Sequence, residues 1–336
     1  MGEQSGKKRL LVNLGIAAGA VVVFLLGLNV VLHFAHFGDR RPDGGGGDRF
    51  DYSGIYRESA DPVLHVELTP NASGIVNAAG FLGQLVPEAK PPGTFRVVGL
   101  GDSITMYQSA ERRNYLQIAE GALRESVGRA TIEFLNFGVG GYDTTQEVHQ
   151  FELRGQRYQP DVVTVGYCIN DGVDFAATVN AATGKLQFGE AAHDHPEVIT
   201  FIQQNLSALS ANMTPEQFFQ AAFAAPGWQQ SMAALARLAA LSKAQHFHVV
   251  IVIFPVLFDF DHYVFQPFHD RLTAEARKLG FEVLDLLPVF RDEGPADTLR
   301  GDASRDVIHP YANGHRAAGL ALAKLLASTG WVPAKP

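Results

Sequence analysis

The sequence predicts a three-layer α/β domain with a central parallel five-stranded sheet, preceded by one N-terminal transmembrane helix. Two observations support this fold class. Five short runs rich in Val, Ile and Phe alternate with helical patterns, and one long apolar run lies near the N-terminus. Short apolar runs bounded by turn residues are typical of strands that are buried on both faces. Strands and helices that alternate in this way indicate right-handed βαβ units.

The N-terminal apolar run covers residues 10–32, follows three basic residues at 7–9, and is interrupted by only two asparagines. A helix of about 20 apolar residues spans a bilayer. The alternative is a cleaved signal peptide, whose apolar region would measure about 7–15 residues and end at small residues. This run is longer, and bulky residues follow it at 33–37. We therefore expect a transmembrane signal anchor at residues 10–37, after a short tail at 1–9.

The orientation of this anchor follows from its flanks. The basic residues at 7–9 and the short N-terminal tail favour a cytoplasmic N-terminus. The large domain behind the anchor would then be periplasmic or extracellular. Residues 38–50 read GDRRPDGGGGDRF, which is typical of a flexible linker. Residues 51–94 precede the first core strand, and we expect them to wrap the domain.

Composition excludes several function classes. The formal net charge is −8, the pI is near 5.8, and Lys and Arg form no basic stripe, so the sequence predicts no nucleic-acid partner. The only cysteine is Cys168, which excludes an intrachain disulfide and a C-x-x-C metal or redox site.

The core domain is predicted at residues 95–330. The predicted strands are 95–100, 131–137, 161–167, 249–254 and 281–286. The predicted helices between and after them are 114–127, 144–153, 229–243, 265–279 and 313–327. An insertion at 172–228 interrupts the alternation, carries further helical patterns at 197–209 and 214–222, and is placed to cap the active site.

Polar residues follow the predicted strands at the edge where open parallel sheets bind ligands. Ser103 follows the first strand, Gly141 lies in the glycine-rich loop after the second, and Asn170 follows the third. Asp306 and His309 stand just before the last helix. This combination points to a hydrolytic site.

Each of these residues has a chemical role in that site. A serine hydroxyl needs a base to take its proton, and His309 can serve if Asp306 holds its ring. An oxyanion hole needs preorganised N–H donors. The backbone amides of Ser103 and Gly141 and the side-chain amide of Asn170 are the predicted donors.

Over roughly residues 95–330 the chain resembles the SGNH/GDSL hydrolase superfamily, in its membrane-anchored bacterial-type form. The GDSIT segment at 101–105 resembles the first family block, which implies that Ser103 is the nucleophile. The N-x-G-x-x-G segment at 136–141 resembles the second, which implies that Gly141 donates to the oxyanion. The resemblance implies a flavodoxin-like fold with the first strand central.

Two further blocks extend the resemblance. The third block is usually G-x-N-D, and Asn170 and Asp171 match it, with Cys168 where Gly is common. The fifth block, D-x-x-H, is matched by Asp306 and His309. The resemblance therefore implies a Ser103, His309, Asp306 triad with an oxyanion hole at Ser103, Gly141 and Asn170.

Other interpretations of single motifs stay open. Asp259 and His262 also fit D-x-x-H, although the pair before the last helix matches the family position better. Asp102 fits a turn and helix-capping residue better than an acid catalyst. The histidines at 193 and 195 offer imidazole for a metal, yet in a polar loop they are more typical of solvated side chains.

The predicted function is hydrolysis of an O-acyl ester through an acyl-enzyme, without a metal or organic cofactor. The expected partners are an acylated small molecule or glycan, such as an acetylated envelope glycan, and the membrane through the N-terminal helix. A lipid or thioester acyl group, and transfer to a sugar acceptor instead of water, stay open. The alternative from another class is a catalytically silent SGNH-like scaffold or subunit of an envelope complex.

Overall fold

The computed structural model describes residues 54–106, 113–128, 131–172, 175–179, 186–190, 215–299 and 307–333. The predicted membrane anchor and linker, the predicted helix at 197–209, the histidines at 193 and 195, and Asp306 all lie outside these ranges. In the ranges that are described, no helix has the length and apolar character needed to cross a membrane. The anchor therefore stays a prediction.

From residue 95 onward, the five strands of the central sheet alternate with helices. The strands are β1 (Tyr56–Glu58), β2 (Val66–Leu68), β3 (Phe95–Gly101), β4 (Ile132–Asn136), β5 (Val162–Tyr167), β6 (Phe175–Val179), β7 (Leu186–Glu190), β8 (His248–Ile253) and β9 (Glu282–Asp285). The helices are α1 (Ser103–Met106), α2 (Tyr115–Val127), α3 (Thr144–Leu153), α4 (Pro215–Ala224), α5 (Pro226–Gln245), α6 (Gln266–Lys278), α7 (Leu286–Glu293), α8 (Ala296–Leu299) and α9 (Ala312–Ser328).

The central sheet has five parallel strands in the order β4-β3-β5-β8-β9. This confirms the predicted α/β class and its five-stranded parallel sheet. The order corresponds to 2-1-3-4-5 in the sequence of core strands, which is the flavodoxin-like arrangement. One detail of the prediction needs correction: β3, the first core strand, is internal, but the middle position belongs to β5. On one side of β3 the sheet contains only β4, whereas on the other side it contains β5, β8 and β9.

Helices cover both faces of this sheet. Successive residues of a strand point to opposite faces. In β5, a methyl group on Gly166 would lie 2.7 Å from the Tyr115 hydroxyl of α2, whereas the next residue, Tyr167, shares a 2.7 Å hydrogen bond with Ser231 of α5. Helix α9 packs on α2, and α3 packs on α5. The domain is therefore three-layered, as the sequence predicts.

Side-chain caps explain where two of these helices begin. Asn114 accepts hydrogen bonds from the backbone N–H groups of Leu116 and Gln117, and the Gln117 side chain accepts from the Asn114 N–H, which forms a capping box at α2. Asp143 and Gln146 form the same arrangement at α3. Such caps satisfy N–H groups that have no partner inside the helix. The cap at α3 fixes the chain direction directly after the loop that carries Gly141.

The segment before the core, residues 54–94, packs on the side of the sheet where β4 forms the edge. Strands β1 and β2 pair antiparallel, and the Leu82 N–H donates to the carbonyl of Asn136 at the end of β4 (3.0 Å). A buried apolar cluster joins this segment to the loops that follow β3 and β4: Ile55, Leu64, Leu68, Ile75, Val76, Leu82, Met106, Val139 and Tyr142. The segment thus contacts the region around the nucleophile.

The insertion at 172–228 is described only in part. Strands β6 and β7 pair antiparallel as a hairpin that belongs to a separate compact unit. Helix α4 lies where the helical pattern at 214–222 predicts one. The hairpin itself was not predicted. Whether the insertion caps the active site stays a prediction.

Candidate active site

Ser103 stands at the turn between β3 and α1, and its side chain is half-buried. The turn depends on Gly101, whose φ of 153° is rarely adopted by residues with a side chain. A methyl group there would lie 2.0 Å from Oγ1 of Thr105 and 3.3 Å from the carbonyl oxygen of Gly166. The sequence therefore places the serine at the carboxyl end of an internal strand by means of a glycine that nothing larger can replace.

His309 meets Ser103 from the other end of the chain. Its Nε2 atom lies 2.7 Å from Oγ of Ser103. The segment that carries His309 is fixed to the loop after β8, because the Leu257 N–H donates to the carbonyl of Val307 (2.7 Å). This geometry allows the imidazole to take the serine proton. Asp306, the predicted third member of the triad, lies outside the described residues, so its role stays a prediction.

Asp102 is fully buried beside the nucleophile and is engaged on both carboxylate oxygens. Oδ1 accepts a hydrogen bond from the Ile104 N–H (2.9 Å), which caps α1. Oδ2 accepts one from Nδ2 of Asn170 (3.0 Å). Asp102 therefore has the capping role that the sequence indicates, and in addition it holds a residue of the predicted oxyanion hole.

Asn170 is exposed at the carboxyl end of β5, next to Ser103. The Cys168 thiol is buried, contacts the Asn170 carbonyl oxygen, and lies 3.4 Å from Oδ2 of Asp102. Burial raises the pKa of the Cys168 thiol well above its usual range, and the charge of Asp102 raises it further, so the S–H donor is retained. With its carbonyl oxygen turned to the thiol and its NH2 turned to Asp102, the Asn170 amide has a defined orientation.

Gly140 and Gly141 form the loop on the other side of Ser103. The Gly140 N–H donates to the sulfur of Met106 (3.1 Å), and a methyl group on Gly140 would lie 3.7 Å from Cβ of Ser103. Gly141 is exposed, has a φ of 86°, and has no atom within 4 Å of the position that a methyl group would take. Its role as a donor to an oxyanion stays a prediction.

The short helix α1 is tied to its surroundings through the carbonyl of Thr105. This carbonyl accepts hydrogen bonds from Nδ2 of Asn114 (2.7 Å) and from Nδ2 of Asn136 (2.8 Å). The Asn136 Oδ1 atom accepts from the Gly138 N–H (2.8 Å), so one side chain links the loop after β4 to α1. A methyl group on Gly138 would lie 2.6 Å from the backbone nitrogen of Met106. The loop after β4 is thus packed against the backbone of α1.

Comparison with known proteins identifies the family of the chain. The sequence profile of the GDSL-like lipase/acylhydrolase family matches residues 100–317, which include every described residue of the candidate site. The chain belongs to this family. It is an SGNH-type carboxylic ester hydrolase, which confirms the resemblance and the enzyme class predicted from the sequence.

Several solved structures are similar to this hydrolase at low sequence identity. LAE5, an alpha/beta hydrolase from the metagenome of Lake Arreo, is 16% identical, with a TM-score of 0.45, over 71% of this chain and 97% of that one. A putative GDSL-like lipase from Parabacteroides merdae is 15% identical, with a TM-score of 0.43, over 70% and 96%. Axe2, an acetylxylan esterase from Geobacillus stearothermophilus, is 15% identical, with a TM-score of 0.47, over 74% and 100%. No curated protein has significant sequence similarity to the chain.

Two buried acids lie behind the Asn170 turn of this hydrolase. Asp171 accepts a hydrogen bond from the Cys168 N–H (2.6 Å) on Oδ2, and Glu147 of α3 is buried with no donor to either carboxyl oxygen among the described residues. Burial raises the pKa of both carboxyl groups well above their usual range. The charges of Asp171 and Asp102 raise the pKa of Glu147 further, and the charge of Asp102 also raises the pKa of Asp171. Glu147 is therefore the group that retains its proton most readily, because it lacks the backbone donor that Asp171 has.

A second histidine is buried near the predicted base. His315 lies in the first turn of α9, and its ring stacks on Tyr115 with centroids 6.2 Å apart. Burial lowers the pKa of His315 to about 3, with a smaller contribution from His309. It is therefore neutral at neutral pH, and it adds no positive charge beside His309.

The rival D-x-x-H motif is positioned differently. The side chain of His262 is 86% exposed, and its Nδ1 atom lies 3.3 Å from Oδ1 of Asp259 in the same short turn. Of the two candidate histidines, it is His309 that contacts Ser103. Within the described ranges, no three His, Cys, Asp or Glu side chains are grouped so that they could hold a metal ion.

Some residues around the site are not evident from the sequence. The sequence does not reveal that Asn114 donates a hydrogen bond to the Thr105 carbonyl, although the capping motif indicates that the Asn114 side chain is ordered. Tyr56 was missed altogether, and its hydroxyl reaches the sulfur of Met106 across 50 residues of chain. The only sequence signal for Tyr56 is an aromatic residue in a segment that was expected to wrap the domain.

Proposed function

We propose that this chain is a membrane-anchored serine esterase that hydrolyses O-acyl groups through an acyl-enzyme on Ser103. The observation that carries the proposal is the 2.7 Å contact between Oγ of Ser103 and Nε2 of His309. A hydroxyl at that distance from an imidazole nitrogen can lose its proton as it attacks a carbonyl carbon.

The reaction proceeds in two displacements. As Ser103 attacks the ester carbonyl, its proton moves to Nε2 of His309 and a C–O bond forms. The oxyanion receives hydrogen bonds from the backbone amides of Ser103 and Gly141 and from the side-chain amide of Asn170. Collapse expels the alcohol, which takes the proton from His309, and leaves an acyl-Ser103. Water then repeats the sequence and releases the carboxylic acid.

This series of reaction steps requires one tautomer of His309. If Nε2 accepts the Ser103 proton, the resting ring carries its hydrogen on Nδ1, and that hydrogen needs an acceptor. We assign this task to Asp306, which stands three residues before His309 in the D-x-x-H motif. A carboxylate there orients the ring and stabilises the imidazolium that forms during attack.

The proposed substrate is an acyl ester, such as an O-acetyl group, on an envelope glycan. Support comes from the predicted anchor at residues 10–37 with basic residues at 7–9, which would hold the catalytic domain periplasmic or extracellular at the end of the linker at 38–50. A tethered enzyme meets polymers of the cell surface at high local concentration.

Covalent labelling tests the serine chemistry. The full-length chain, purified in detergent, is treated with a fluorophosphonate probe alongside Ser103→Ala and the matched control Ser126→Ala. Ser126 lies on α2 and donates only to the Leu123 carbonyl among the described contacts. We expect the wild type and the control to be labelled and to hydrolyse p-nitrophenyl acetate. Ser103→Ala should do neither. Absence of Ser103-dependent labelling and turnover would instead support the scaffold function.

Hydrolysis and transfer are separated by adding an acceptor. With a soluble O-acetyl donor, we expect free acetate to account for all the acyl groups released, with or without an added oligosaccharide. Acetylated oligosaccharide detected by mass spectrometry would show that transfer competes with hydrolysis.

A further inference from the structure

Tyr56 reaches the active-site loops from a segment outside the family match. It lies on β1, whereas the match begins at residue 100. Its hydroxyl donates to the sulfur of Met106 (3.2 Å), the same sulfur that accepts the Gly140 N–H (3.1 Å). Met106 thus connects Tyr56 to the glycine loop of the predicted oxyanion hole.

The position of Gly140 relates Tyr56 to the nucleophile. A methyl group on Gly140 would lie 2.5 Å from the hydroxyl oxygen of Tyr56 and 3.7 Å from Cβ of Ser103. The phenol and the nucleophile therefore lie beside the same glycine. A substrate bound at Ser103 that extended past Gly140 would therefore meet Tyr56.

The antiparallel pair of β1 and β2, the N-terminal hairpin, holds this tyrosine in a fixed place. Ile55, the residue before it, is completely buried, and its carbonyl accepts a hydrogen bond from the Thr69 N–H (2.7 Å). The Tyr142 hydroxyl donates to the carbonyl of Val66 on the partner strand β2 (2.5 Å). The hairpin is thus attached to the loop after β4, and Tyr56 is preorganised for contact, which lowers the entropic cost of binding.

The chemistry that Tyr56 offers is that of an aromatic face. Its side chain is one of the few large hydrophobic groups of the described chain that remain exposed, with 40% of the residue accessible, and its hydroxyl hydrogen is engaged with Met106. An exposed aromatic ring presents a rigid apolar surface with a negative π face. The polarised C–H groups on one side of a pyranose ring match that surface, and its hydroxyl groups remain in water.

We infer that Tyr56 is a specificity-determining residue that stacks on the sugar ring that carries the scissile acyl ester. The inference rests on the proposed esterase function and names the alcohol side of its substrate as a carbohydrate. The pre-core segment would then supply a sugar contact from outside the family-matched region.

Binding to an inactive protein tests this contact without turnover. The affinity of full-length Ser103→Ala for 6-O-acetylated cellotetraose is measured by titration calorimetry, with and without the second change Tyr56→Ala. We expect the affinity to fall about tenfold on loss of the ring. Tyr56→Phe, which keeps the ring, should stay within about threefold. The matched control is Leu85→Ala, which removes a 53% exposed apolar side chain from the same segment; it should leave the affinity unchanged.

The outcomes separate this inference from the proposed function. In the Ser103 background, an affinity that Tyr56→Ala does not change, or absence of binding altogether, would overturn the stacking role. In the Tyr56 single variants, a tenfold rise in KM for p-nitrophenyl octanoate without a rise for the acetylated sugar would place the ring on the acyl side and would also overturn it. Failure of the proposed function would appear elsewhere, as wild-type protein that shows no Ser103-dependent turnover of any ester.

Discussion

Oγ of Ser103 lies 2.7 Å from Nε2 of His309, although 206 residues separate them in the chain. If this contact supplies the base, His309→Asn should lower kcat/KM for p-nitrophenyl acetate by about 10⁴-fold or more, because the serine and its base act as a unit. Ser103→Ala and the double variant should be equally inactive. Steady-state kinetics at neutral pH measure the effect.

The chain contains its own control for this prediction. His262 belongs to the other D-x-x-H motif and is 86% exposed. His262→Asn should leave kcat/KM within about twofold, as substitutions at exposed positions usually do. A large loss at His262 with little loss at His309 would reverse the assignment of the base.

The hydrogen bond from Asn170 to Asp102 gives a second prediction. In Asp102→Asn, only one side-chain oxygen remains to serve both the Ile104 N–H and the Asn170 amide, so one bond is lost. We expect kcat to fall about 10²-fold with little change in KM, since a misplaced oxyanion donor affects the transition state more than the ground state.

A double-mutant cycle separates this positioning effect from general damage. Asn170→Ala should lower kcat by about 10²–10³-fold. If Asp102 acts through Asn170, adding Asp102→Asn to Asn170→Ala should cost little more. Fully additive losses, with unchanged thermal stability in each variant, would show that Asp102 acts independently of Asn170.

Local patterns predict most of the core of this fold. The five core strands occur within two residues of their predicted bounds, because each is an apolar run that ends at turn residues. Helix α3 has its predicted bounds, and Asp143 and Gln146 provide the capping box that marks its start. Ser103 and Asn170 follow their strands at the carboxyl edge, as the parallel topology requires.

Elsewhere the deciding interactions are not local. The predicted fifth strand extends to residue 286, but Asp285 ends it by capping α7 through the Leu287 N–H (2.9 Å). The apolar residues that follow then belong to a helix, which a continuous apolar run does not reveal. The hairpin of β6 and β7 depends on cross-strand pairing, and Tyr56 reaches Met106 through a contact made only after folding. The periodicity of apolar residues does not predict such contacts.

The buried Glu147 predicts a stability cost that increases with pH. Burial raises its pKa above the unfolded value of about 4.3, so the folded state binds more protons than the unfolded state above that pH. The wild type therefore loses free energy of unfolding as pH rises from about 4.3 toward the folded pKa. Glu147→Gln removes this loss and should be more stable by about 1–3 kcal/mol at pH 8, but not at pH 4.

Urea denaturation at pH 4, 6 and 8 measures this difference. The matched control is Glu125→Gln on the exposed side of α2, which should change the free energy of unfolding by less than about 0.5 kcal/mol at each pH. A constant difference between Glu147→Gln and wild type across this range would contradict the proposed protonation of Glu147.

His315 predicts the opposite dependence at acid pH. Burial lowers its pKa to about 3, whereas an unfolded histidine titrates near 6.5, so the unfolded state binds more protons between these values. The stability that this residue contributes is complete above about pH 6.5 and is lost as pH falls toward 3, at about 1.4 kcal/mol per pH unit.

The variant His315→Gln also loses the ring contact with Tyr115, which shifts its stability by an amount that does not depend on pH. The slope is therefore the diagnostic quantity. Between pH 6.5 and pH 4.5, wild type should lose about 2 kcal/mol more than the variant, and His262→Gln, at an exposed position, should follow the wild-type slope. Parallel curves for wild type and His315→Gln would show that the buried imidazole accepts a proton in the folded protein.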